Sequence, residues 1–410
     1  MKKILSLYFV LVALLFFDCS SGKKNIDIIL FNPLDIERVD EFISLDVNSL
    51  QNKYPGFNQE SFTIYEKNKE IPYQIENKGV RKLISFVVDF APSEKKVLTI
   101  RNNGESNKVY KSRVYAEVAM KVDYHYRDGK FSGGRFQNYD SLKVPAVHTD
   151  HDALFRYEGP GWESDKVGYR YYIDWRNRID IFGKKTNDLV LKKVGVNDLE
   201  AANDSYHVMQ DWGMDIFNVG KSLGIGSYGI LGKDSVIIVS QRDSVICMIT
   251  ENGPVKAEIT TEFYGWKVRN NKFDLKSVLS ITAGSRLTKA ELVINDSPEN
   301  IVTGLAKNKH AEFSERRSDG LWSYISLYGK QTLANDNLGI VLFYNNSELI
   351  ETKEINDSYA VLLNPENNRI TYYFGAAWEK EPNGIKNNNE FVTYIDNTLE
   401  NLNNPVSIQY

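Results

Sequence analysis

Short apolar runs, each broken after a few residues by turn formers, dominate this chain and restrict it to strands. Residues 26–30 (IDIIL), 83–88 (LISFVV), 97–100 (VLTI), 236–239 (VIIV) and 339–344 (GIVLFY) are rich in β-branched and aromatic side chains. Turn signals punctuate them: Asn102-Asn103-Gly104, Asp128-Gly129, Asn252-Gly253, Asn270-Asn271 and Asn345-Asn346. Helix patterns are scarce, and the candidates, residues 197–203, 298–307 and 397–402, are short. Residues 384–390 (GIKNNNE) read as a surface loop. The chain is therefore expected to be all-β. The polar stretch 102–108 (NNGESNK) divides it into a small N-terminal β-sandwich, residues 25–101, and one large antiparallel β unit, residues 109–410.

Composition narrows the function. A net charge of -4, from 50 Lys+Arg against 54 Asp+Glu, leaves no basic excess to neutralise phosphates, so a nucleic-acid partner is not expected. Aromatic residues reach 12 %, which suits strands and also suits stacking on sugar rings. Two cysteines exclude a disulfide scaffold and a Cys-rich zinc module.

The first residues bear on compartment. Lys2 and Lys3 precede an apolar run, residues 4–17, too short for a comfortable membrane span and suited to a signal peptide. Cys19 follows directly, at the acceptor position of a bacterial lipoprotein, although Phe16, Phe17 and Asp18 replace the usual small residues. Residues 1–19 are thus expected to be a signal and lipidation segment, with a lipid anchor as the membrane contact. Surface-directed lipoproteins of Bacteroidota carry acidic residues after the Cys. The sequence Ser20-Ser21-Gly22-Lys23-Lys24 has none, which points to the periplasm. Cys247, in an apolar strand-like run, reads as a buried inert thiol.

Candidate chemistry concentrates in residues 145–228. From Tyr169 to Trp175, period two puts Tyr169, Tyr171, Ile173 and Trp175 on one face, which looks like core. It puts Arg170, Tyr172, Asp174 and Arg176 on the other. That second face is either a solvated, ion-paired surface or a ligand wall, where an arginine pairs with a carboxylate or sulfate. Gly159-Pro160-Gly161 reads as a rigid turn presenting Trp162 to a sugar ring. His148, Asp150, His151 and Asp152 offer donors that a divalent metal accepts, but at a spacing that fits no metal motif, so no cofactor is expected. His151 could instead shuttle a proton while an aspartate orients it. His207, grouped with Asp211 and Lys221, is a second candidate base. Trp212 is a further stacking platform. No dinucleotide, phosphate-loop, GxSxG or HExxH motif is present.

The blocks at residues 157–165 (YEGPGWESD), 168–170 (GYR), 174–176 (DWR), 180–184 (DIFGK) and 211–215 (DWGMD) resemble a family of exported Bacteroidota proteins catalogued as a domain of unknown function. Members occur among polysaccharide-utilisation proteins, and the closest functional likeness is to ulvan oligosaccharide dehydratases of marine flavobacteria. The resemblance implies a uronate-containing substrate, which can also be sulfated. By analogy, it implies a large unit built as an antiparallel supersandwich like those of mutarotase-type enzymes. Dehydration of a terminal uronic acid to the 4,5-unsaturated sugar needs a cation for the carboxylate, a base for the C5 proton and an acid for the departing water. Arg170 or Arg176 could be the cation, His151 or His207 the base, and Tyr172 or a protonated histidine the acid. His148, Trp162, Asp174, Trp212 and Lys221 would complete the binding surface. A chain-cleaving lyase needs the same three functions. A glycoside hydrolase would use two of Glu158, Glu163, Asp165 and Asp174. A non-catalytic glycan binder would rely on Trp162, Trp175 and Trp212.

Overall fold

The computed structural model describes residues 25–102, 109–197, 201–355 and 357–410. The leader with Cys19 and residues 103–108 of the polar stretch lie outside the described residues. The chain is all-β, with 53 % strand and 9 % helix. Among the described residues there are two α-helices, and neither is long and apolar enough to cross a membrane.

Residues 25–102 fold around their own core. In strand Ile26–Phe31 the alternation buries Ile26, Ile28 and Leu30 and exposes Asp27 and Phe31. The strand pairs with Lys95–Asn102 on one side and with Ser407–Gln409 on the other, so the last residues of the chain complete this sheet. The three-stranded sheet Arg38–Asp46, Arg81–Phe90 and Tyr73–Lys78 packs its Phe86, Ile84 and Ile43 against it.

The rest is a two-layer antiparallel stack. One layer is a nine-stranded sheet running from Ser141–Lys143 at one edge to Ala311–Arg316 at the other. The opposing layer consists of two five-stranded sheets. One runs Gly213–Asp215, Ile179–Lys184, Val167–Tyr171, Gly161–Ser164, Val114–Glu117. The other is centred on Ile301–Ala306. A single large cluster fills the space between layers, with Trp162, Tyr169, Trp266, Tyr372 and Phe374 among its bulkiest members. Helix Asn388–Asn403 lies on the nine-stranded sheet. Its Phe391, Ile395 and Leu399, at i, i+4 and i+8, pack on Trp322, Tyr324 and Phe343.

Two helix expectations change. Residues 298–307 contain strand Ile301–Ala306, all six residues buried; a strand covered on both faces loses the alternation that would have marked it. The pattern at 397–402 is the end of a helix that begins at Asn388. Asn387 accepts the Glu390 amide and Glu390 accepts from the Asn387 side chain, so part of the expected loop is a helix cap. Residues 198–200 of the third candidate lie outside the described residues.

Candidate active site

The site grows from one pair of strands. Val167–Tyr171 pairs with Ile179–Lys184 so that Arg170 stands opposite Asp180, and Asp215 on the next strand opposes Phe182. Period two puts Arg170, Asp180, Phe182 and Asp215 on one face, while Tyr169 and Tyr171 enter the core. Arg170 Nη2 donates to Asp180 Oδ2 at 2.7 Å and to Asp215 Oδ2 at 2.6 Å. The Tyr172 hydroxyl accepts from Arg170 (2.9 Å) and donates to Asp180 (2.5 Å). Arg170 is buried among these acids and the rings of Tyr172, Phe182 and Tyr206. Its Nη1, 3.6 Å from Glu158 Oε2, has no hydrogen-bond acceptor among the described residues.

After Tyr171 the strand ends and the chain turns back through residues 172–178. Asp174 accepts the Arg176 amide at 2.7 Å and grips its guanidinium at 2.5 to 3.1 Å. Arg176 lies 4.1 Å above the Tyr172 ring and reaches Asp150 and Glu158, each at 2.8 Å. Glu158 is presented by strained backbone: Tyr157 (φ 40) and Glu158 (φ 73) are both left-handed. Gly159 makes this approach feasible, because a Cβ there would lie 2.0 Å from the Tyr171 carbonyl oxygen.

Two imidazoles end this network. His151 pairs with Asp150 through Nδ1 and lies 3.4 Å from Glu158 Oε1. His207, on the turn Ser205–His207, has Nδ1 3.3 Å from Asp215 Oδ2 and packs on Tyr206. A chain of contacts therefore runs His151, Glu158, Arg170, Asp215, His207. The hydrogen bond to Asp215 raises the His207 pKa, against the opposing effect of burial. Burial alone would raise Glu158, but Arg170 and Arg176 outweigh it and hold the carboxyl low. Asp180 goes up, because burial and the neighbouring Asp215 exceed the pull of Arg170. Burial, first, lifts Tyr172 far above its ordinary value, which keeps it a neutral donor.

Between these groups is a pocket of about 280 Å³, walled by His151, Tyr172, Arg176, Arg178 and His207, with Arg170, Glu158 and Asp215 at its base. Arg178 differs from its neighbours. It is buried, it donates to the carbonyls of Ser222 (2.5 Å) and Arg176 (3.0 Å), and it pairs with no carboxylate among the described residues. Desolvation lowers its pKa to about 10. An anion entering the pocket would supply the missing counter-charge. A larger cavity, about 370 Å³, lies over the nine-stranded sheet beside Glu262, Tyr264 and Asp274, but has no imidazole or guanidinium in its wall.

The structure brings together His151, Arg170, Tyr172, Arg176 and His207, with Asp174 as the clamp on Arg176. It separates others. Trp162 is fully buried, stacked on Tyr169 and bonded through Nε1 to Thr288, because its strand lies inside the sheet and that position faces the core. Trp162 therefore cannot touch a sugar. His148 is enclosed, with Nδ1 2.9 Å from Asp152 and its ring against Phe155, so neither His148 nor Asp152 is available to a ligand or metal. Trp212 packs on Phe182 outside the pocket. Trp175, expected in the core, is 53 % exposed, since the strand has already ended. Lys221 is exposed, just beyond the pocket wall at Gly220, and Asp215 rather than Asp211 is the acid at His207. Cys247 is buried, its thiol pushed up to about 12 by burial.

The metal donors regroup as Asp150, His151 and Glu158, whose donor atoms lie within 4.8 Å of one another. Arg176 already stands between Asp150 and Glu158 and meets their charge, so a divalent ion there would compete with a guanidinium. Sequence reasoning missed Asp180, Asp215 and Arg178 as site residues. Arg178 lies past the turn that ends the strand at Tyr171, so strand alternation does not mark it.

A family model described as a domain of unknown function, DUF4861, matches residues 30–408. The chain belongs to that family. A protein of Formosa agariphila described as "Uncharacterized protein P7" is 24 % identical over all of this chain and 99 % of its own length. Among solved structures, the chain resembles a protein in the glycosyl hydrolase family 38 from Enterococcus faecalis (10 % identity, 93 % of this chain, TM-score 0.48). It also resembles an α-mannosidase from Enterococcus faecalis V583 (9 %, 94 %, TM-score 0.46). The chain spans 47 % and 46 % of those two chains, about half their length. Likeness at that level does not carry an activity across.

Proposed function

We propose that the protein is a carbon–oxygen lyase that dehydrates the non-reducing terminal uronic acid of an oligosaccharide. The observation that carries this reading is Arg178, a buried pocket guanidinium with no carboxylate partner among the described residues, set beside two carboxylate-held imidazoles. Arg178 binds the uronate carboxylate, and Arg170, which also borders the pocket, adds its charge. This withdraws charge from C5 and stabilises the enolate-like state formed when its proton leaves. His151 takes the C5 proton. His207, whose pKa the hydrogen bond to Asp215 raises, donates to the C4 hydroxyl as its C–O bond breaks. One water departs and the C4=C5 double bond remains. Tyr172 donates its hydroxyl proton in a hydrogen bond to Asp180 and fixes Arg170; it is a positioning residue.

The pocket is at the small end of the range for ligand sites, which favours one terminal ring over a threaded chain. A hydrolase finds little support: Glu163 is locked to Lys184, Asp165 to Arg113 and Asp174 to Arg176. A pure binder keeps only Trp175 of its three platforms, since Trp162 is buried and Trp212 packs on Phe182. Export with lipidation at Cys19, placing the enzyme in the periplasm on a membrane anchor, belongs to the same proposal and rests on sequence. Single His151→Ala and His207→Ala variants test the reading. Turnover should collapse while oligosaccharide affinity stays near wild type. Stepwise loss of affinity in both variants would mark a binding protein instead.

A further inference from the structure

Beside the pocket stands a two-stranded hairpin, His125–Arg127 paired with Lys130–Ser132. Its turn residues Asp128 (φ 52) and Gly129 (φ 76) are both left-handed, the geometry of a tight two-residue connection. Gly134 closes the base, where a Cβ would lie 2.1 Å from the Val122 carbonyl oxygen. Phe131 is buried in the main core, and Tyr124 and Tyr126 flank it at 4.8 and 4.6 Å between ring centres. Yet Tyr126 is 54 % exposed and Tyr124 is 42 % exposed. Exposed tyrosines held by a buried anchor on a closed hairpin are preorganised.

The hairpin is also tied to the catalytic loop. Lys130 Nζ donates to the His151 carbonyl at 2.6 Å, and the Phe131 amide donates to the Asp152 carbonyl at 2.8 Å. Asp152 in turn fixes the loop, accepting the amides of Thr149 (2.8 Å) and Leu154 (2.9 Å). The hairpin is therefore tied to the segment that carries His151. Arg127 and Lys130 occupy the other face of the same hairpin.

We propose that this hairpin is a second saccharide subsite. It takes a sugar ring further from the terminal uronate than a disaccharide reaches, with Tyr126 as the stacking platform and Tyr124 beside it. The assignment of that more distant ring rests on the uronate reading of the pocket. The hairpin then sets chain-length preference, and the pocket sets the chemistry.

The test is Tyr126→Ala in the full chain, which leaves Phe131 to anchor the hairpin. Binding and turnover are measured with a disaccharide and a tetrasaccharide from ulvan, each ending in a saturated uronate. Affinity for the tetrasaccharide should fall about tenfold, the scale of one aromatic contact with its buried area, with the disaccharide unchanged. That selective loss supports the subsite even if neither sugar loses water, so a failure of the lyase reading is scored separately by turnover. Equal weakening of both ligands, an unchanged tetrasaccharide affinity, or a wild-type protein with no preference for the longer chain would overturn it.

Discussion

Arg178→Met is the perturbation most closely tied to the proposed chemistry. The side chain makes no ion pair among the described residues, which leaves its charge without a carboxylate there. A uronate carboxylate would receive two charge-assisted hydrogen bonds from it, each worth about 1.5–3 kcal/mol. At the low end their loss is about 3 kcal/mol, on the order of a hundredfold in kcat/KM. The effect on folding should be much smaller. Methionine forfeits the bonds to Ser222 and Arg176 but also removes a buried charge without a counter-ion, so the two changes offset to within about 1–2 kcal/mol. Arg178→Lys keeps the charge and loses the planar fork, and should fall between the two. The assay is steady-state turnover on saturated-uronate oligosaccharides, with thermal unfolding as the folding control. A folded Arg178→Met protein with kcat/KM within about threefold of wild type would refute carboxylate binding by this residue.

The remaining predictions concern protons and packing. His207 owes its raised pKa first to Asp215, so Asp215→Asn should move the alkaline limb of the kcat–pH profile to lower pH, while Asp211→Asn leaves it in place. An unmoved limb would remove His207 as the acid. Because the folded value is raised, the stability that the pair contributes is complete below the unfolded histidine pKa and is lost as pH rises through the folded one. The difference in urea midpoint between wild type and His207→Gln should therefore shrink with rising pH. Lys184→Met leaves the buried Glu163 carboxyl with only the Val190 and Leu191 amides, and should cost about 3–5 kcal/mol in urea unfolding. Adding Glu163→Gln should recover part of that loss, and strict additivity of the two would argue against the pair.

The all-β class was legible because half-buried strands such as Ile26–Phe31 keep their alternation. It was less legible where both faces are covered, as in Ile301–Ala306, and where helix-capping residues imitate a loop, as at Asn387 and Glu390. At the site, period two placed Arg170 and Tyr172 together. The same rule failed at Trp175, because the strand stops at Tyr171 and the chain turns. Gly159-Pro160-Gly161 suggested an exposed corner, yet those glycines permit close packing against the Tyr171 carbonyl oxygen and the Tyr157 ring. Asp215 as the partner of His207 depends on strand register between Ile179–Lys184 and Gly213–Asp215, which local pattern does not encode. The His148–Asp152 pair shows the converse: neighbours in sequence formed a structural contact, not a reactive one.

The central claim is the loss of water from a terminal uronate without chain cleavage. Protein lacking residues 1–19, incubated with ulvan oligosaccharides that end in a saturated uronic acid, tests it when mass and ultraviolet absorbance are followed together. A product lighter by one water, with a new conjugated-alkene band and the chain intact, is the expected result. Shortened chains, with or without that band, or no change in either signal, would contradict it.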